Sequence, residues 1–162
     1  MIAALGDSHL SLLQASPGHA RELAELHALV FAQGWAQGWD EASFGRLLAH
    51  PGSAAFLARV APPPQPVGLI VGQLAADEAE LLTLGVHQGH RRHGIARRLA
   101  GALMHAAKGA GAKRLFLEVG RNNAAAVGLY RGLGFCQVGL RQGYYEHAGQ
   151  PGEDALVLAI AL

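Results

Sequence analysis

Two stretches of this 162-residue chain carry side chains suited to chemistry. In the first, Arg91 and Arg92 stand just before His93, Gly94, Ile95, Ala96 and Arg97, with Arg98 beyond. A helix that begins near Gly94 offers about four unpaired backbone N–H groups and roughly half a positive charge. Gly94 has no side chain to hold a ligand away from that backbone, so the stretch suits a diphosphate. In the second, one carboxylate, Glu118, lies in the apolar run KRLFLEV, with Asn123 and Tyr130 following. Residue type alone does not make these three catalytic. A strand glutamate is usually hydrogen-bonded or solvated, Asn123 suits a helix N-cap, and Tyr130 on an apolar helix face packs in a core by default. The histidines at 87, 90 and 93 invite a metal, but they share a loop with no carboxylate or thiolate nearby, so no metal is expected.

The elements around the arginine pair read clearly. Leu81, Leu82, Leu84 and Val86 form an apolar run of strand length, and residues 87–93 interrupt it. Ile95, Leu99, Ala102, Leu103 and Ala106 then keep the spacing of one helix face. Strand, anion loop and helix therefore follow one another. A P-loop is excluded, because Gly89 and Gly94 have its separation but Ile95-Ala96 stands where Lys-Ser/Thr is needed. A dinucleotide fingerprint is excluded too, because no G-x-G-x-x-G follows a strand.

The length suits a single domain over 1–162 with one core. A net charge of +1 with 15% charged residues gives no bulk drive toward nucleic acid. The single cysteine, Cys136, allows no internal disulfide and no cysteine-based metal cage. The first ten residues lack a basic, apolar leader, and no run of about 18 apolar residues occurs, so a cytoplasmic protein without membrane association is expected.

Taken in order, residues 11–15 predict a strand, and Ser16-Pro17 opens a helix reaching about Phe31. Trp35 and Trp39 lie in a glycine-broken segment, where they either line a pocket or cover the core. Asp40 caps a short helix bearing Phe44, Leu47 and Leu48. Strands at 56–60 and 67–74 flank a stiff proline turn. Another strand is predicted at 113–119. Asn123 opens a helix closed by Gly134, and strands at 135–142 and 155–161 flank a loop containing Tyr144 and Tyr145. This order predicts an α/β (α+β) fold, a mixed central sheet of about seven strands with helices on both faces.

Residues 91–96 resemble the acetyl-CoA signature Q/R-x-x-G-x-G/A of the GCN5-related N-acetyltransferase (GNAT) superfamily. Residues 117–135 resemble the RimI-type bacterial N-alpha-acetyltransferases, whose run L-E-V-x-x-x-N-x-x-A-x-x-L-Y-x-x-x-G-F is matched throughout. Trp39-Asp40-Glu41 through Phe44, Arg141 to Tyr145 and Glu153-Asp154-Ala155 are further matches. Departures are Arg91, where the family usually has Gln, Ala96 for Gly, Asp40 for Ser/Thr, and the proline turn. The resemblance implies the GNAT fold, with acetyl-CoA as cosubstrate in a splay between the strands at 81–86 and 113–119. It further implies Glu118 as base and Tyr130 as acid, with Leu84, Gly85, Val86, residues 91–97 and Asn123 on the cofactor. The acceptor so implied is a protein N-terminus, that of a ribosomal protein in the family resembled, met by Trp39, Tyr144 and Tyr145. Two alternatives stand beside it. One is a small-amine acetyltransferase, for which a polyamine site would need clustered acidic residues, sparse along this sequence. The other is a noncatalytic acyl-CoA- or nucleic-acid-binding module using Arg91, Arg92, Arg97 and Arg98.

Overall fold

The computed structural model of the chain describes residues 9–32, 39–147 and 150–162, and only the backbone of 145–147 and 150–151. Trp35 and residues 33–38 around it lie outside the described residues, as does the Tyr145 side chain. The strands are β1 (His9–Gln14), β2 (Ser53–Ala61), β3 (Gln65–Ala75), β4 (Glu78–Val86), β5 (Arg114–Gly120), β6 (Cys136–His147) and β7 (Gln150–Ala161). The helices are α1 (Ala20–Val30), α2 (Glu41–Ala49), α3 (Ile95–Gly109) and α4 (Ala124–Gly132), with short 3-10 turns at Pro17–His19 and Gln88–His90. The strands follow one hydrogen-bonded order, β1-β2-β3-β4-β5-β7-β6. The sheet is mixed: β4 pairs parallel to β5 over Glu78↔Arg114, Ala79↔Leu115 and Glu80↔Phe116, whereas β7 is antiparallel to both β5 and β6.

The chain divides into two compact units. The first comprises residues 1–72 and 83–103. Its buried residues include Leu23 and Leu26 of α1, Phe44 of α2, Leu57 of β2, Leu69 and Ile70 of β3, and Ile95, Leu99 and Leu103 of α3. Asp40 caps α2 by accepting the Ser43 N–H at 2.8 Å, as the sequence predicts. Ser16 and Pro17 open a 3-10 turn rather than α1 itself, and the Ser16 N–H donates to His19 Nδ1 at 3.0 Å. On α3 the buried stripe is rotated from the predicted one. Ala100 and Ala107 are buried, while Ala102 and Ala106 are half-exposed, because Ile95, Leu99, Leu103 and Ala107 lie four residues apart along one ridge.

The second unit comprises residues 73–82 and 104–162. In β5, burial alternates: Leu115, Leu117 and Val119 are buried, and Phe116 and Glu118 take the other face, partly exposed. The last two strands depart from expectation. The predicted loop carrying Tyr144 and Tyr145 is strand, with Tyr145↔Glu153 and His147↔Gln150 in register. Gly143 and Gly152 lie against each other: a Cβ on Gly152 would stand 2.6 Å from the Gly143 carbonyl oxygen. Gly143 has φ +61° and its N–H donates to Asp154 Oδ1 at 3.0 Å, so the break is an irregularity within the ladder between Arg141 and Tyr145.

Candidate active site

Glu118 projects from β5 on the face opposite the buried Leu117 and Val119, with its side chain 20% exposed. Arg141 of β6 reaches it, placing Nη2 3.0 Å from Glu118 Oε1. The guanidinium of Arg141 also lies 5.2 Å from the ring centre of Tyr144, an exposed residue. These groups border an open cavity of about 330 Å³, lined by Gln73, Glu78, Glu80, Phe116, Glu118 and Arg141 among others. Three carboxylates and one arginine therefore share one concavity. Acidic residues that are sparse along the chain are gathered here, because parallel pairing of β4 with β5 sets Glu78 and Glu80 beside Arg114 and Phe116.

The turn after Glu118 is firmly held. The Asn122 N–H donates to Glu153 Oε1 at 2.8 Å, and Arg121 pairs with Asp154 at 3.3 Å. A Cβ on Gly120 would stand 2.7 Å from Glu153 Oε1 and would displace that carboxylate from the Asn122 N–H. Asn123 then caps α4, its Oδ1 accepting the Ala126 N–H at 3.2 Å. Tyr130 follows on the inner face of α4, only 7% exposed, its ring edge-on to Phe135 at 5.7 Å. The second unit thus holds Glu118, Asn123 and Tyr130 together with Tyr144.

The loop before α3, with Arg91 to Gly94, belongs to the first unit. Arg92 and Gly94 both adopt left-handed backbone, φ +63° and +76°, and among the described residues nothing lies within 4 Å of a Cβ built on Gly94. The first helical bond of α3 runs from the Arg98 N–H to the Gly94 carbonyl at 3.1 Å, so the Ile95, Ala96 and Arg97 N–H groups precede the hydrogen-bonded ladder. Arg91 to Arg98 are mainly exposed, but Arg91 is not simply solvated, for its Nε donates to the Val86 carbonyl at 3.1 Å. The histidines shape this loop. His87 Nδ1 accepts the Gly89 N–H at 3.1 Å, and His93 Nδ1 lies 3.2 Å from the His90 carbonyl.

Leu84, Gly85 and Val86 form the end of β4, with Gly85 and Val86 buried. A Cβ on Gly85 would stand 2.5 Å from Val30 Cγ1, so its glycine is demanded by α1. Trp39 stacks on the buried His27 at 5.5 Å and lies 5.4 Å from Phe44, covering the first unit's core. Arg141, Glu78 and Glu80 carried no site assignment in the sequence. No local spacing could place Arg141 beside Glu118, because the β5-β7-β6 register decides it.

The family described as "Acetyltransferase (GNAT) family" matches residues 20–135. The N-alpha-acetyltransferase RimI of Mycobacterium tuberculosis is 36% identical over 138 residues, 80% of each chain. The ribosomal protein bS18-alanine N-acetyltransferase of Salmonella typhimurium is 37% identical over 92 residues, 57% of this chain, and the match spans 62% of that relative. The crystal structure of the ribosomal-protein-S18-alanine N-acetyltransferase from Escherichia coli superposes with a TM-score of 0.80 at 24% identity, covering 94% of each chain. Arabidopsis thaliana NAA60 in complex with acetyl-CoA superposes at 0.81 with 18% identity, covering 95% of this chain and 99% of that one.

Proposed function

The chain belongs to the GNAT family of acetyltransferases, and from that membership we propose that it moves the acetyl group of acetyl-CoA onto the N-terminal α-amine of a protein. The observation that carries the reading is Glu118, a part-buried carboxylate opening onto a cavity large enough for a chain end. In this reading Glu118 takes the proton that the amine nitrogen loses as it attacks the thioester carbonyl. The N–C bond forms, the C–S bond breaks, and Tyr130 protonates the departing thiolate. A CoA thiol titrates near 8 to 9 and tyrosine near 10, so that last transfer costs little. The diphosphate would lie on Arg91, Arg92, His93, Gly94, Ile95, Ala96 and Arg97, where the open Gly94 fits an anion approaching the backbone. Leu84, Gly85 and Val86 would meet the pantetheine amides, with the Val86 N–H toward the oxyanion. Asn123 would donate its side-chain amide to the same arm.

The α-amine reading also follows from proton affinity. At neutral pH roughly a tenth of an α-amine is neutral, against less than about a thousandth of a lysine. Tyr144, beside Arg141, would border the acceptor's path, and a protein N-terminus, a ribosomal one among them, is the partner. A cytoplasmic location fits such a partner. The decisive experiment compares, by mass spectrometry, a peptide with a free N-terminal alanine and its N-formylated counterpart bearing one internal lysine. Selective acetylation of the free terminus is expected, and equal or faster reaction of the blocked peptide would overturn the acceptor. A second reading, a small polycationic amine, is favoured by Glu78 and Glu80 beside Glu118. Spermidine outcompeting the free-terminus peptide as acceptor would select it.

A further inference from the structure

Glu118 already has a counter-ion. Arg141 takes its Oε1 at 3.0 Å, and an arginine stays charged at any pH an enzyme meets. Its position is built by the sheet. Glu118 pairs with Val157 and Val157 with Gly139, so these three form one row across β5, β7 and β6. Arg141 stands two residues past Gly139 on the same face. Gly139 contributes no side chain to that row, which leaves the Arg141 side chain a path back over Val157. Asp154 pins the backbone just beyond, through the Gly143 N–H, and the Tyr144 ring supports the guanidinium.

We propose that Arg141 is the specificity-determining residue of this site: it keeps ammonium ions off Glu118, so that only amines basic enough to attack yet with an appreciable neutral fraction in water can engage the base. The inference rests on Glu118 as that base. An ammonium ion seeking Glu118 meets a guanidinium already on one oxygen, and the two cations repel. A neutral amine meets no such penalty and needs one acceptor for its N–H, which the second oxygen supplies. Among the described residues, the other charged groups facing this cavity are Glu78 and Glu80 of β4, with uncharged Gln73 from β3 and apolar Val157 from β7. The β4 carboxylates draw a basic acceptor into the cavity as a whole, while Arg141 screens the reacting carboxylate itself. An α-amine passes this screen far more often than lysine.

The test is calorimetric binding of a free-alanine peptide, with the α-amine its only group titrating between about pH 6.8 and about pH 8.8, to enzyme saturated with CoA, which cannot react. Over that range the neutral fraction rises about tenfold, and wild-type affinity should rise with it. Arg141→Lys should keep the rise. Arg141→Gln, or the equally uncharged Arg141→Met, should lose it and bind the peptide at low pH as tightly as at high. In turnover, both uncharged variants should also raise kcat/KM for an N-blocked lysine peptide relative to the free-terminus peptide. A wild-type affinity that ignores pH, or an Arg141→Gln variant that tracks pH as wild type does, overturns the proposal. Full activity in Glu118→Gln would instead remove the base, and with it the reading on which the proposal rests. An inactive Glu118→Gln beside an unaltered pH dependence in Arg141→Gln would remove only the role of Arg141.

Discussion

Glu118 and Tyr130 have opposite local settings, one bordering a cavity and the other 7% exposed inside α4. Glu118→Gln keeps the shape but cannot accept a proton, and Tyr130→Phe keeps the ring but cannot give one. Each should lower kcat by about 10²- to 10⁴-fold with acetyl-CoA binding retained, read by steady-state kinetics beside calorimetry. Unimpaired turnover in both would place the proton transfers on other groups, and only a wild type without turnover would leave the noncatalytic acyl-CoA-binding module. His27 makes a different point. It is 1% exposed among Phe31, Trp39 and Phe44, its Nδ1 has no hydrogen-bond partner among the described residues, and burial lowers its pKa below the ordinary 6.5. The folded protein therefore holds fewer protons on His27 than the unfolded chain does. Its neutral form supports folding fully above pH 6.5, and that support is lost as pH falls through the lower folded value. Urea midpoints should fall on acidification through this window, and His27→Phe should flatten the slope. An equally steep slope in the variant would locate the effect elsewhere.

At the level of elements, two glycines are held for unlike reasons. Gly94 has left-handed backbone and open space around it, the geometry of an approach surface. Gly94→Trp should weaken acetyl-CoA binding by about tenfold or more in calorimetry, since one good anion contact at a helix start is worth that much. Unchanged affinity would place the diphosphate elsewhere. Gly85 is held by packing, its missing Cβ making room for Val30 and Phe31 at the end of α1. Gly85→Ala should cost about 1–3 kcal/mol of stability in urea unfolding, the usual price of overpacking. By contrast Gly101, on the exposed face of α3 with nothing within 4 Å, should gain up to about 1 kcal/mol as alanine. A Gly85→Ala variant as stable as wild type would mean that α1 moves away freely.

Over the whole molecule, the charges nearly cancel at +1, so the cluster at Arg91, Arg92, Arg97 and Arg98 is a local feature. Among the described residues no helix is long and apolar enough to cross a membrane. Filter binding to single-stranded RNA should therefore be weak at about 0.15 M salt, with a shallow salt dependence. Tight binding with a steep salt slope would assign the arginines to nucleic acid instead. The order of strands and helices was legible in the sequence, because apolar periodicity, the Asp40 and Asn123 caps and the Gly94 helix start are local signals read over a few residues. Tyr144 and Tyr145 lie in strand rather than in the predicted loop, because Gly143 and Gly152 meet across two strands. Arg141 on Glu118, and Glu78 and Glu80 on one cavity, arise from sheet register, which joins residues 23 and about 40 positions apart with no local signature. Local spacing thus determined the elements and the helix start after Gly94, whereas the charge around Glu118 was decided by tertiary structure, because only strand pairing brings those side chains within reach of one another.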